Sequence, residues 1–142
     1  MSSKSLIEWN ENLKIGLAVV DRQHERLFGI INRLQEATIG GKGTDVISET
    51  IDELIIYTAT HFRMEEKYFA LFEYLDAEQH KREHDALMIK VSAYAIDFAK
   101  APRSSRSALA NELLQFLKMW WQYHMLETDS KFVTLFRERG LT

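Results

Sequence analysis

The sequence predicts an all-α protein: an up-down-up-down antiparallel four-helix bundle with an irregular N-terminal arm and a short C-terminal helical tail. Three observations carry this expectation. Apolar residues recur at the 3.6-residue spacing of a helix along four long stretches. A single proline, Pro102, and six glycines leave those stretches largely uninterrupted. Strand-like alternation occurs nowhere at useful length. A chain of 142 residues can bury one sizeable core, so 1–142 is taken as a single domain made of an arm (1–20), a bundle (21–129) and a tail (130–142).

The first helix is expected to begin near Asp21, a good N-cap, and to carry His24, Leu27, Phe28, Ile31 and Leu34 inward until the I-G-G-K-G run at 39–43 stops it. A second, starting at Thr44 or Asp45, carries Ile47, Ile51, Leu54, Thr58, His61, Glu65, Tyr68 and Phe72. The third opens around Asp76 with Ala77, His80, His84, Leu87, Val91 and Phe98 inward. It ends before Pro102, because the residue ahead of a proline resists helical torsions. The fourth starts near Ser104 to Ser107 and presents Leu109, Leu113, Phe116, Leu117, Trp120 and His124, with a helical tail running to about Arg139. Ahead of these, Trp9, Ile15 and Leu17 are apolar enough for residues 1–20 to fold over the bundle. Short links favour antiparallel neighbours.

Composition narrows the function classes. A net charge of −3, from 18 basic and 21 acidic residues without a long run of either sign, argues against nucleic acid as a partner. The absence of cysteine excludes disulfides, thiol chemistry and iron–sulfur ligation. No apolar signal segment opens the chain and no stretch is long and apolar enough for a membrane span, so a cytoplasmic protein without membrane contact is expected.

All five histidines fall on apolar stripes. A buried imidazole must have its ring nitrogens satisfied, and a lone one is usually a core histidine bonded to a carbonyl. Here the antiparallel order makes the positions coincide. His24 lies near the start of the first helix, His61 and Glu65 near the end of the second, His80 and His84 near the start of the third, and His124 near the end of the fourth. All four helices thus deliver their polar core residues to one level. Five imidazoles with at least two acids exceed a tetrahedral zinc site and suit two six-coordinate ions. Glu65 lies one turn from His61 on the same face, as His84 does from His80. On the fourth helix, periodicity favours Glu127 as a second carboxylate, since Asp129 would sit about 140° around from His124 on an ideal helix.

His24, H-x-x-x-E at 61–65, H-x-x-x-H at 80–84 and H-x-x-x-x-D at 124–129 occur in that order. The set resembles the hemerythrins, and most closely the stand-alone bacterial hemerythrins. Further points of likeness are the V-D-R-Q-H run at 20–24, H-F-R-M-E-E at 61–66 and the tryptophans shortly before His124. The resemblance implies reversible dioxygen binding, for transport, storage or sensing, at a non-haem site of two iron ions per chain. By position, His80, His84 and His124 would hold one iron and His24 and His61 the other. Glu65 and Asp129 would bridge them together with an oxo or hydroxo group. It thereby favours Asp129 over Glu127, which a local π-bulge around Leu126 to Asp129 would allow. Counting these ligands against two six-coordinate ions leaves one position open, on the iron of His24 and His61. Phe28, Phe62, Phe69, Trp120, Trp121 and Met125 are the candidates for a dry wall around it. One departure is Phe132, where bacterial relatives often have a tyrosine.

The alternative on the same bundle is a di-iron oxidase or peroxidase, or an iron- or nitric-oxide-handling protein. An enzyme is not expected beyond weak side activity, because a histidine-rich, carboxylate-poor site suits holding oxygen. Ferritin-like oxidases need E-x-x-H on two helices, and the residues three before the histidines are Asp21, Thr58, Ala77, Lys81 and Trp121. H-K-R-E-H at 80–84 matches a zinc-protease pattern with Glu83 as base, but that leaves three histidines without a role. A metal-free bundle would need protein partners for all five. Glu11, Glu25, Glu49, Glu66, Lys67, Lys81 and Arg82 are assigned to the solvated face.

Overall fold

The computed structural model describes residues 9–40 and 43–141. Among these, four long helices form the bundle: α1 (Ala18–Ile39), α2 (Thr44–Leu71), α3 (Ala77–Lys100) and α4 (Arg103–Tyr123). A π-helical turn (His124–Thr128), a 3-10 segment (Asp129–Phe132) and a short α5 (Val133–Glu138) follow without a break. No strand occurs among the described residues. Helix α1 packs on α2 and α4, and α3 packs on the same two from the other side. This is the closed ring that an up-down-up-down order with short links produces. No helix of the described residues is long and apolar enough to cross a membrane.

Helix α1 begins three residues earlier than the sequence suggests. Asp21 is not its N-cap: it lies in the first turn, with Leu17 at the cap position. Its carboxylate instead accepts hydrogen bonds from the backbone N–H groups of Ile15 and Gly16, at 2.8 and 3.2 Å. Asp21 therefore fastens the arm to the helix start, a capping function applied to the preceding loop. Helix α4 starts immediately after Pro102, not at Ser104 to Ser107, since proline there costs no intrahelical donor. Helix α3 ends at Lys100, ahead of that same proline. Residues 1–8 of the expected arm, and residues 41 and 42 of the expected stop after α1, lie outside the described residues.

The inward stripes of α1, α2 and α3 match the periodicity closely; only Ala77 and Tyr68 are half-buried. On α4 the stripe is rotated. Ala110, Leu113, Leu114, Leu117 and Trp121 face the core, while Leu109, Phe116 and Trp120 are only partly buried. Periodicity cannot choose between adjacent registers when both are apolar, and here the more central of two tryptophans is the second. Two apolar clusters result. The larger runs from Leu13 and Phe28 through Leu54, Leu87 and Leu117 to Trp121 and Met125. The smaller joins the arm to the tail through Leu17, Val20, Phe69, Phe72, Phe132, Val133 and Phe136.

Arm and tail are also tied by a hydrogen bond from the Arg137 guanidinium to the Gly16 carbonyl, 2.8 Å long. Gly16 has φ +94°, and a Cβ placed there would collide with that guanidinium. Gly16→Ala should therefore lower the stability of the metal-free protein by about 1–2 kcal/mol, read as a shifted urea midpoint with unchanged m-value. An unaltered midpoint would mean that the clasp contributes nothing.

Candidate metal centre

At the level between the two apolar clusters, the four helices bring together His24 from α1, His61 and Glu65 from α2, His80 and His84 from α3, and His124 and Asp129 from the end of α4. None of the seven is more than 2% exposed. They form two groups that share both carboxylates. His80, His84 and His124 make one group with Glu65 and Asp129, and His24 and His61 make the other with the same two acids. Within each group the ligand atoms all lie within 4.8 Å of one another.

The carboxylates divide their oxygens between the groups. Glu65 Oε2 faces His61 Nε2 at 3.4 Å, while its Oε1 faces His84 and His80 at 3.2 and 3.7 Å. Asp129 Oδ2 faces His24 Nε2 at 3.3 Å, while its Oδ1 faces His80 and His124, each at 3.0 Å. Nε2 atoms also confront one another, at 3.2 Å for His24 and His61 and again for His84 and His124.

Asp129 reaches the cluster because α4 changes its winding. The Asp129 N–H bonds to the His124 carbonyl five residues back, the mark of a π turn. That widened turn brings position 129 round to the face of His124. Glu127, the choice of ideal periodicity, is left exposed, whereas Asp129 has no exposure at all.

Three of the five outer imidazole nitrogens have partners that the sequence did not disclose. His61 Nδ1 donates to Gln23 Oε1 in a short hydrogen bond. His84 Nδ1 donates to Glu66 Oε2 at 2.8 Å, and His124 Nδ1 to Glu83 Oε1 at 3.4 Å. The Thr128 hydroxyl also donates to Glu83 Oε1, at 3.0 Å. Glu66 is thus not merely part of the solvated face, as its neighbours Lys67, Lys81 and Arg82 are. Each of the three acceptors sits beside a cluster residue in sequence and braces the imidazole of the following helix. A useful signal existed: buried imidazoles require acceptors, and a polar residue next to a stripe position lies at the rim where one is needed.

The donor set fits cations. Both oxygens of Glu65, both oxygens of Asp129, both nitrogens of His80 and Nδ1 of His24 are buried without a well-directed hydrogen-bond partner. With Nδ1–H donated outward, His61, His84 and His124 aim Nε2 at the same space that the carboxylates face, and offer a lone pair there once Nε2 is deprotonated. Such a concentration of buried acceptors is costly unless positive charge occupies it.

The electrostatics point the same way. Burial pushes the Glu65 carboxyl up and the Asp129 charge adds to this, but His61 and His84 outweigh both and hold it at about 2. Burial likewise opposes ionisation of Asp129, yet His124, His24 and His80 keep it well below the usual carboxylate range. His24 is pushed down by burial. Burial also opposes the charge on His124, but Asp129 and Glu83 lift it to about 10. Without metal, protons on the imidazoles balance carboxylates that do not give up their charge.

Aromatic rings enclose the cluster unevenly. Phe62 stacks flat on His84, with centroids 3.6 Å apart, and Trp120 on His124 at 4.3 Å. Trp121 lies 6.0 Å from His24 and 6.1 Å from His61. Phe69 covers His80 at 4.7 Å, with Phe132 behind it at 5.6 Å. Met125 is fully buried, and Phe28 meets Trp9 of the arm edge to face. A cavity of about 130 Å³ touches the His80 flank and is lined also by Tyr74, Glu83, Thr128 and Lys131. Burial and the charges of Asp76, Asp129 and Glu83 push the Tyr74 phenol up to about 12, so it remains a hydroxyl donor there.

Comparison with known proteins bears on the family and the fold. A family model, the hemerythrin HHE cation binding domain, matches residues 15–136. The chain is 32% identical over 129 residues to a bacteriohemerythrin of Pseudomonas aeruginosa (strain LESB58), covering 91% of this chain and 80% of that one. It is 30% identical over 128 residues to a bacteriohemerythrin of Clostridium acetobutylicum, covering 88% and 97%. A crystal structure of wild-type hemerythrin aligns with a TM-score of 0.81 over 92% of this chain and 97% of that one, at 24% identity, which bears on the fold alone.

These charges give the metal-free protein a defined pH signature. His124, raised from 6.5 to about 10, contributes stability that is complete below pH 6.5 and lost as pH rises through about 10. Glu65, lowered from 4.5 to about 2, contributes stability present above pH 4.5 and lost as pH falls through about 2. Urea unfolding of metal-free protein should therefore show stability declining from about pH 6.5 toward pH 10 and again on acidification below pH 4.5, with His24, held down by burial, removing stability as pH falls below 6.5 and so favouring a maximum near that value. Affinity for a divalent metal should rise over the same alkaline interval, since imidazole protons must leave before ligation. If stability and affinity rose together, protons and metal would not be competing for the same nitrogens.

Proposed function

The chain belongs to the hemerythrin family, and from that premise we propose that its buried cluster holds two irons and binds dioxygen reversibly. His80, His84 and His124 would ligate one iron, His24 and His61 the other, with Glu65, Asp129 and an oxo or hydroxo group spanning the pair. The observation that carries this reading is the division of each carboxylate's oxygens between two histidine groups of unequal size. With three imidazoles on one side and two on the other, an iron held by His24 and His61 would have one protein ligand fewer than its partner.

When bound, the ferrous pair supplies the two electrons and the open coordination position that reversible dioxygen binding requires. The chain's own residues do the rest. Gln23 fixes the orientation of His61 through its outer nitrogen. Trp121 flanks His24 and His61 on the two-histidine side, while Phe62 stacks on His84 and reaches across toward His61; together they exclude water that would otherwise help separate charge and leave oxidised metal behind. Phe69 and Trp120 cover His80 and His124 and so belong to the opposite wall. Five imidazoles around two carboxylates favour holding oxygen over oxidising an organic substrate, and nothing in the cluster supplies the additional glutamates of ferritin-like oxidases. Glu83 is engaged with His124 and Thr128, which removes it from the part of a general base in a zinc protease.

The direct test is the visible spectrum of iron-loaded, reduced protein as oxygen is admitted and then withdrawn, with iron counted per chain. A charge-transfer band that follows oxygen in both directions, with two irons per chain, is the expected result. Irreversible conversion to a diferric form would move the protein to oxidase or peroxidase chemistry, and a chain without iron would end the di-iron reading. Trp121, with no exposed surface, provides a second test. Trp121→Ala should cost about 3–5 kcal/mol of stability and speed autoxidation by roughly tenfold, equivalent to about 1.4 kcal/mol on the barrier. An oxygenated form as long-lived as the wild type's would show that this ring does not keep the pocket dry.

A further inference from the structure

Three of the five imidazoles are backed by a side-chain acceptor at Nδ1, and the acceptors differ in charge. His84 and His124 are backed by carboxylates, Glu66 and Glu83, whereas His61 is backed by the neutral amide of Gln23. Both carboxylates therefore serve the three-histidine group and neither serves the two-histidine group. We propose that Glu66 and Glu83 are positioning residues that make the two halves of the centre unequal, so that the half formed by His80, His84 and His124 takes up a divalent cation first and gives it up last. The inference rests on the metal-binding reading given above and goes beyond it.

The physical basis is local. A carboxylate behind an imidazole holds the ring in one orientation and keeps its proton on the outer nitrogen. It also makes the inner nitrogen a stronger donor to a cation. An amide fixes the ring equally well but adds no charge. Glu66 and Glu83 are about one-quarter exposed, at 26% and 27% of their side-chain surface, so their charge is sustained by solvent while their hydrogen bonds point into the dry cluster. The hydrogen bond from His124 keeps the Glu83 carboxyl below its ordinary range, although burial opposes this, and Thr128 adds to the effect. Thr128 belongs to the π turn that delivers Asp129, so Glu83 also braces the backbone presenting one of the shared carboxylates.

The test is a titration of metal-free protein with cobalt(II) against a chromophoric chelator, a readout independent of oxygen. Wild type should bind two cobalt ions per chain in two resolved steps. Glu66→Gln and Glu83→Gln keep side-chain size and an acceptor oxygen but remove the charge. Each should weaken the first step by about 10–100-fold and leave the second within about threefold. Gln23→Glu, the reciprocal change, should strengthen the second step and bring the two closer together, an effect no purely structural role predicts. Circular dichroism of each variant establishes that the bundle is intact. Two indistinguishable steps in the wild type, or equal weakening of both steps in the glutamine variants, would overturn the inference while leaving the metal site standing. A wild-type chain that binds no cobalt would overturn both.

Discussion

Two carboxylates and five imidazoles sit in a region with almost no access to water, and among the described residues the carboxylate oxygens lack hydrogen-bond partners, so charge within the cluster itself must balance them. The rest of the structure is arranged around that requirement. Apolar clusters close off the level above and below, which raises the cost of every unpaired charge and strengthens every interaction with a cation that enters. The same burial that makes the empty cluster expensive makes a filled one tight.

The bundle resolves the positioning problem by passing support from helix to helix. Gln23 on α1 braces His61 on α2, Glu66 on α2 braces His84 on α3, and Glu83 on α3 braces His124 on α4. Each brace is a sequence neighbour of a cluster residue on its own helix, so rotating one helix would disturb its own ligand and its neighbour's together. This couples the four helix registers more directly than apolar packing does, since packed surfaces tolerate substitution and small shifts. The register of α4 is the one most in need of such coupling. Its apolar face is broad enough to offer two alternatives, through Trp120 or Trp121.

Much of this was legible in the sequence because its main signals are periodic. The helical stripes, the stop at Pro102 and the convergence of His24, His61, His80, His84 and His124 on one end all follow from spacing and the antiparallel order. The family assignment rested on motif order and agrees with the comparisons. Features that break periodicity were harder to read. Ideal helix geometry favours Glu127, and only the resemblance pointed to Asp129, because a π turn displaces everything after it by an angle that no pattern of apolar residues encodes. Glu66 was assigned to the solvated face and Glu83 was weighed only as the base of a zinc-protease pattern, because both lie one residue off the stripe; their partners are on other helices, and such pairings emerge only from three-dimensional packing. Asp21 looked like a helix cap for a related reason: it does cap backbone N–H groups, but those of the arm before it.

The clasp between arm and tail has a kinetic meaning. Gly16 and Asp21 secure the segment just before His24, while Arg137 and Phe136 belong to the segment just after Asp129. Short segments of this kind open far more often than a helical core unfolds. When this one opens, it uncovers the flank from which one imidazole and one shared carboxylate are presented. An occupant of the centre that left by this end would need only those few contacts to part, and not the unfolding of the helical core. Substitutions in the latch and in the core would then act on different events, the first on local opening of this end and the second on the stability of the fold.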